Sequence, residues 1–259
     1  MKASYHTHTF RCKHATGSEE QYIEQAIAEG LEILGFSDHA PMPYGNGFVS
    51  TYKMAPDEIG AYFSTLLSLK EKYKNKIDIK IGFETEYYPS MWERCLDFWR
   101  PYPLDYLILG QHFAPEEAVK DKVYAGWDSP DKDRVTAYTD CVIKAMNTGL
   151  ITYVAHPDLI NYSGDDREFL KAERTRLINE AVRLGIPLEY NLLGMSCGRA
   201  YPDGEFWELA VALGSKVIIG CDSHSPDRVA NKAELKAARK FLEGIGASVL
   251  DKIELRKVF

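Results

Sequence analysis

The chain has 259 residues, 45% of them hydrophobic and 27% charged, with a formal net charge of -7. That length accommodates one α/β barrel, and the composition is that of a soluble globular protein. The charge speaks against broad affinity for nucleic acid or acidic membranes, although carboxylates that bind divalent cations would leave a site locally positive.

Five cysteines (Cys12, Cys95, Cys141, Cys197, Cys221) are scattered without Cys-x-x-Cys spacing. Such a set is expected to be reduced, as in a cytoplasmic protein. The N-terminus shows no apolar leader, and no apolar run is long enough to span a bilayer.

The first expected strand carries His6-Thr7-His8, whose two imidazoles share one side by strand alternation. Ser18-Glu19-Glu20-Gln21 is a capping box opening a helix that closes at Gly30. Ile33 to Ser37 is an apolar strand running into Asp38-His39. Residues 40–56 form a Pro/Gly-rich loop too long for a mere connector, and a lid is expected there. A helix beginning near Pro56 places Ile59, Phe63, Leu66 and Leu69 on one side.

The pattern then repeats. A strand from Ile77 to Phe83 ends in Glu84 and Glu86, and a short helix from Ser90 to Trp99 follows. Tyr106 to Gly110 runs into Gln111-His112, and the next helix carries Val135, Tyr138, Val142 and Met146. Ile151 to Ala155 runs into His156, before a helix with Leu170, Leu177, Ala181 and Leu184. Pro187 to Tyr190 runs into Asn191, and Phe206 to Leu213 is helical. Val217 to Cys221 runs into Asp222-Ser223-His224, and Ser225-Pro226 is expected to cap and open a last helix.

Seven strand–helix units in series imply parallel strands. Each strand delivers a polar residue at its C-terminal end, and only a barrel brings all those ends to one mouth. One domain over residues 1–259 is therefore expected. The strand-end set is His6, His8, His14, His39, Glu84, His112, His156, Asp222 and His224, and it contains all seven histidines of the chain. Nitrogen and oxygen donors of this kind suit Zn, Mn or Fe(II) in a hydrolytic site and do not suit a structural Cys-type zinc.

In order, His6-x-His8, Ser37-Asp38-His39, Gly82-Phe83-Glu84, Gly110-Gln111-His112, Ala155-His156-Pro157 and Gly220-Cys221-Asp222-Ser223-His224 resemble the motifs of the polymerase and histidinol phosphatase (PHP) family. Within that family, His39-Ala40-Pro41, Gly82-Phe83-Glu84 with Tyr87, and Glu189-Tyr190-Asn191 followed by Arg199 and Tyr201-Pro202 look most like the histidinol-phosphatase branch. Two positions depart from that branch: Gln111 stands where a small residue is usual, and Asn161 lies where a basic residue is often found.

The resemblance implies a distorted (β/α)7 barrel, TIM-barrel-like, with three divalent cations. It implies His6, His8, Glu84 and Asp222 on one cation, Glu84, His112 and His156 on a second, and His14, His39 and His224 on the third. A metal-bound hydroxide shared by the Glu84-bridged pair would attack phosphorus, giving hydrolysis of L-histidinol phosphate to L-histidinol and phosphate. With that nucleophile no cysteine is required, so Cys12 and Cys221 are read as packing residues.

Arg199 is a candidate phosphate contact, and Asn191, Tyr44 and Glu86 are candidate substrate contacts, with Tyr52 and Phe48 over a substrate ring. Asp38 and Ser37 are expected to buttress His39. The expected partner is a small-molecule phosphate monoester. Competing readings are a PHP phosphoesterase for a nucleotide or sugar phosphate, an amidohydrolase-type hydrolase, and a non-catalytic polymerase accessory module. The amidohydrolase superfamily usually carries a carboxylated lysine at its fourth strand, where this chain has His112.

Overall fold

The computed structural model describes residues 1–114, 116–119 and 122–259. Eight strands form one parallel sheet whose neighbours follow chain order: β1 (Ala3–Ser4), β2 (Ile33–His39), β3 (Asp78–Thr85), β4 (Tyr106–Leu109), β5 (Ile151–Val154), β6 (Leu188–Asn191), β7 (Lys216–Gly220) and β8 (Ser248–Leu250). The helices are α1 (Glu19–Ala28), α2 (Ile59–Tyr73), α3 (Trp92–Trp99), α4 (Lys132–Asn147), α5 (Arg167–Leu184), α6 (Leu192–Ser196), α7 (Gly204–Ala212) and α8 (Lys232–Gly244).

The sheet curls into a TIM-barrel-like α/β fold. At the mouth, the chain beyond β1 reaches the chain beyond β7 through a parallel bridge between Thr7 and Ser223. The His8 amide donates to the Ser223 carbonyl at 3.0 Å. At the opposite end β8 pairs with β7, and residues 251–253 lie against the start of the chain, with Tyr5 Oη donating to the Ile253 carbonyl at 3.4 Å. Seven strands were expected. The eighth escapes the strand-end pattern because Ser248-Val249-Leu250 is short, half-exposed and carries no site residue.

Alternation divides the strand residues between two cores. Tyr106 and Ile108 of β4, Tyr153 of β5 and Ile218 of β7 pack inside the barrel with Ala3 and Tyr5. Leu107, Leu109, Ile151, Val154, Val217 and Ile219 face the helices. Burying each aliphatic side chain stabilises by about 1.5–3 kcal/mol. Tyr106 crosses the interior and donates to the carbonyls of Tyr5 (2.7 Å) and Phe36 (3.1 Å), making a fixed floor below the mouth.

The end of the chain departs from the expected single helix. Pro226–Arg228 is one 3-10 turn, and the Ser225 side chain makes no capping bond. Ala230 has φ 52, in the left-handed region that ends a helix. Asn231 starts α8 afresh, its side chain accepting from the amides of Ala233 and Glu234. Helix α6 was also unforeseen. The Asn191 side chain accepts from the Gly194 amide at 2.8 Å and turns the end of β6 directly into a helix. No helix among the described residues is long and apolar enough to cross a membrane.

Candidate metal centre

The nine strand-end residues meet at the C-terminal mouth of the sheet, with Glu84 at their middle. Register pairs His39 of β2 with Glu84 of β3, and His39 Nδ1 lies 2.8 Å from Glu84 Oε2. His8 Nε2 is 3.5 Å from the same oxygen. The other oxygen, Oε1, faces His156 Nε2 at 2.9 Å, His6 Nε2 at 3.5 Å and His112 Nε2 at 3.8 Å. Asp222 Oδ1 stands 3.1 Å from His8 Nε2 and 3.5 Å from His6 Nε2. His14 and His224 face each other, Nε2 to Nε2, at 2.9 Å.

Room for this crowding comes from the neighbouring strands. A Cβ at Gly110 would collide with the Glu84 carboxylate, and one at Gly220 with that of Glu189. Two of the polar residues sit in strained backbone: His156 has φ 33 and Asp222 φ 49. Such conformations cost about 1–3 kcal/mol each and gather at functional sites.

Three of the rings are aimed by an acceptor bonded at Nδ1, and two more face a carboxylate there without a hydrogen bond. His6 Nδ1 donates to Glu189 Oε2 at 2.8 Å. His14 Nδ1 donates to the Cys12 carbonyl at 2.7 Å and His224 Nδ1 to the Asp222 carbonyl at 3.0 Å. His8 Nδ1 faces Asp38 and His112 Nδ1 faces Glu86, both at 3.5 Å. A carboxylate or carbonyl behind the imidazole is how metal-binding histidines are oriented. His39 is the reverse case, with Nδ1 toward Glu84.

Buried carboxylates and imidazoles shift one another's charge here. Burial pushes the Glu84 and Asp222 carboxyls up, but the surrounding imidazoles outweigh it and hold both well below the usual carboxylate range. Burial lowers His6, yet Glu189, Asp222 and Glu84 raise it well above an ordinary histidine. For His39 burial prevails and lowers it well below. Among the described residues, the ion pairs of Glu84, Glu189 and Asp222 are with histidines alone.

His6 Nε2, His8 Nε2, Glu84 Oε2 and Asp222 Oδ1 are buried without a hydrogen-bond partner. Buried polar atoms of this kind are costly unless something satisfies them. Triads such as His6, His8 and Glu84, or His6, His156 and Asp222, have donor atoms within 4.8 Å of one another, so the donor set fits divalent cations.

Several expected roles change. Glu86 is buried and cannot touch substrate: Oε1 accepts from the amides of His112 and Phe113, and Oε2 meets Lys53. Burial raises its carboxyl, but Lys53 and His112 bring it down to about 2. Asn191 is buried too, and its Nδ2 donates to Glu189 (2.7 Å) and Asp222 (3.1 Å). The Tyr44 hydroxyl donates to Glu117 at 2.9 Å, and Tyr44 is not among the residues lining the cavity beside the cluster. Asp38 serves Thr9 and His8, reaching His39 only through its backbone amide, and Ser37 Oγ accepts from the Thr7 amide.

Arg199 does line the cavity, with Nη1 donating to the Tyr201 hydroxyl at 2.6 Å. The cavity measures about 430 Å³ and is also walled by Tyr52, Phe113, Tyr124 and Leu193.

Sequence reasoning gave no role to Glu189, Lys53, Glu117, Phe113 or Tyr124. A carboxylate inside the apolar run of β6 was the available signal for Glu189. Cys12, read as packing, has its Sγ within 4.8 Å of donor nitrogens of His14 and His224. Burial raises that thiol, but His14, His224 and His8 outweigh it and bring it down to about 4.

Parallel strands in chain order, with a histidine–carboxylate cluster across their C-terminal ends, define a barrel-like α/β protein built to hold cations at its mouth. The chain belongs to the PHP domain family, whose sequence model matches residues 4–192. It is 24% identical to the protein of Deinococcus radiodurans named "Probable histidinol-phosphatase", over 86% of each chain. It is 28% identical to the Schizosaccharomyces pombe protein of the same name, over 98% of this chain and 90% of that one. The fold is similar to the crystal structure of histidinol phosphate phosphatase from Lactococcus lactis complexed with zinc, L-histidinol and phosphate, with a TM-score of 0.75, 18% identity, and coverage of 98% and 97%.

Proposed function

We propose that the protein is a metal-dependent phosphomonoesterase that hydrolyses L-histidinol phosphate to L-histidinol and phosphate. The observation that carries this reading is the Glu84 carboxylate, buried with five imidazoles within 4 Å, beside a cavity that Arg199 also lines. Relatives named "Probable histidinol-phosphatase", matched over 86% and 90% of their own length, support the substrate. We assign the enzyme to the cytoplasm, on five free cysteines.

His6, His8, Glu84 and Asp222 would hold one cation, Glu84, His112 and His156 a second, and His14, His39 and His224 a third, with Zn, Mn and Fe(II) as the candidate ions. When bound, such cations supply positive charge for a phosphate dianion and the Lewis acidity that makes water nucleophilic near neutral pH. Glu84 stands where the donor groups meet: one oxygen faces His112 and His156 together with His6, and the other faces His8 and His39. Glu189 fixes the tautomer of His6, and Asn191 holds both Glu189 and Asp222.

Arg199 keeps guanidinium N–H groups beyond its bond to Tyr201, and these donate to the phosphoryl oxygens. Tyr52, Phe113 and Tyr124 offer flat apolar faces to the imidazole of the leaving alcohol. A cavity of this size suits a small molecule. The test is phosphate release from L-histidinol phosphate. Cation-loaded protein is expected to release it, chelator-stripped protein is not, and added cation restores the rate. No release at any loading with Zn, Mn or Fe(II) overturns the proposal.

A further inference from the structure

Loop 40–56 ends in a lysine that turns inward. Lys53 is 2% exposed, and its Nζ lies 2.5 Å from Glu86 Oε2 and 2.9 Å from Glu117 Oε2. One ammonium thus joins three separate stretches: the loop, the end of β3 and the segment after His112. Glu86 is also tied to the candidate centre. Its Oε1 accepts from the His112 amide at 2.8 Å and the Phe113 amide at 3.1 Å, and stands 3.5 Å from His112 Nδ1. Tyr88 Oη donates to Glu86 Oε2 at 2.5 Å. Lys53 Nζ lies 4.8 Å from the centre of the Tyr52 ring, and Tyr52 stacks on Phe113 at 5.5 Å with 23° between planes. Both rings wall the cavity.

We infer that Lys53 is a positioning residue: by pairing with Glu86 and Glu117 it fixes the direction of His112 and holds the Tyr52–Phe113 wall beside the cavity. The inference rests on the proposed function, in which His112 binds a cation. Without the ammonium, Glu86 and Glu117 each lose a buried hydrogen-bond partner and do not both keep their places. Removing the ammonium therefore frees either Glu86 from the His112 amide or the loop from the wall. A lysine that only stiffens the fold would act through stability alone.

The experiment compares Lys53→Met, Lys53→Arg and a control, Leu177→Ala, which removes a buried apolar side chain of α5. Cation affinities come from chelator competition, and KM from phosphate release. Lys53→Met is expected to weaken one of three cations about 10- to 100-fold, the range for residues that orient a ligand, with the other two unchanged. KM for L-histidinol phosphate is expected to rise, and proteolysis within 40–56 to accelerate. Lys53→Arg is expected to recover most of the cation affinity, and Leu177→Ala to lower Tm while changing neither affinity nor KM.

Wild-type affinities and KM in Lys53→Met overturn the inference, as does Leu177→Ala reproducing its changes. If Lys53→Met does not fold, Tyr88→Phe removes one hydrogen bond from Glu86. It should then weaken the same cation more mildly, and an unchanged Tyr88→Phe overturns the inference. A wild-type protein that binds no cation defeats the parent reading instead.

Discussion

Glu84 and Arg199 share one cavity and have opposite duties. Glu84→Gln removes the charge between two donor groups, so loss of cation and near-abolition of kcat are expected together, read by elemental analysis and phosphate release. Among the described residues Arg199 bonds Tyr201 and makes no hydrogen bond or ion pair to the histidine–carboxylate cluster, so Arg199→Ala should keep its full cation content. Losing a charge-assisted hydrogen bond costs about 1.5–3 kcal/mol, roughly 10- to 150-fold in kcat/KM. Metal-replete Arg199→Ala with wild-type kinetics would return Arg199 to the surface. Glu189→Gln tests the layer behind: it leaves His6 without its anionic acceptor and should weaken cation binding about 10- to 100-fold, measured by chelator competition. The strand-end residues were legible because all but His14, which follows a 3-10 turn, lie at the end of an apolar run. Glu189 and Lys53 were not, since what distinguishes them is burial beside a partner far along the chain, His6 for one and Glu86 for the other.

Among the elements, the strand–helix pattern was legible because apolar strands and closing glycines such as Gly30, Gly149, Gly185 and Gly214 repeat with it. It failed where one short segment overrides local preference. Ser225-Pro226 has the residues of a helix start, but the left-handed Ala230 separates that turn from α8, and Asn231 provides the cap. The two caps can be set against each other. Asn231→Ala is expected to cost about 0.5–2 kcal/mol, a fall in Tm of a few degrees, with kcat/KM unchanged. Ser225→Ala, whose side chain caps nothing, should leave Tm unaltered. The reverse ranking by thermal unfolding would restore the single helix. The long loop was read as a lid because of its length, whereas its Lys53 end is bound into Glu86 and Glu117.

At the scale of the whole molecule, the cluster that would bind cations governs stability without them. In cation-free protein His6 and His8 are both raised well above 6.5, because their carboxylate neighbours outweigh burial. A group raised on folding stabilises fully below its unfolded value and loses that contribution as pH rises through the folded value. Glu84 and Asp222 are lowered, so their contribution persists until strongly acidic pH. His39, lowered by burial, opposes the other two histidines only below about pH 6.5. Cys12, lowered to about 4, gains stabilisation over the same range and offsets part of this, but His14 is raised as well, so chelator-stripped protein should melt at lower temperature at about pH 9 than at about pH 6.5. Loading with cation, which displaces those protons, should raise Tm most at the higher pH. A stripped protein whose Tm climbs over that range would contradict these charges.

The central claim, that the cavity is built for L-histidinol phosphate, is tested most directly by kcat/KM for phosphate release across a panel of histidinol, sugar, nucleotide and aryl phosphates with fully loaded protein. Histidinol phosphate is expected to lead the panel by a wide margin. A nucleotide or sugar phosphate with the higher kcat/KM would contradict it and make this chain a PHP phosphoesterase of another specificity.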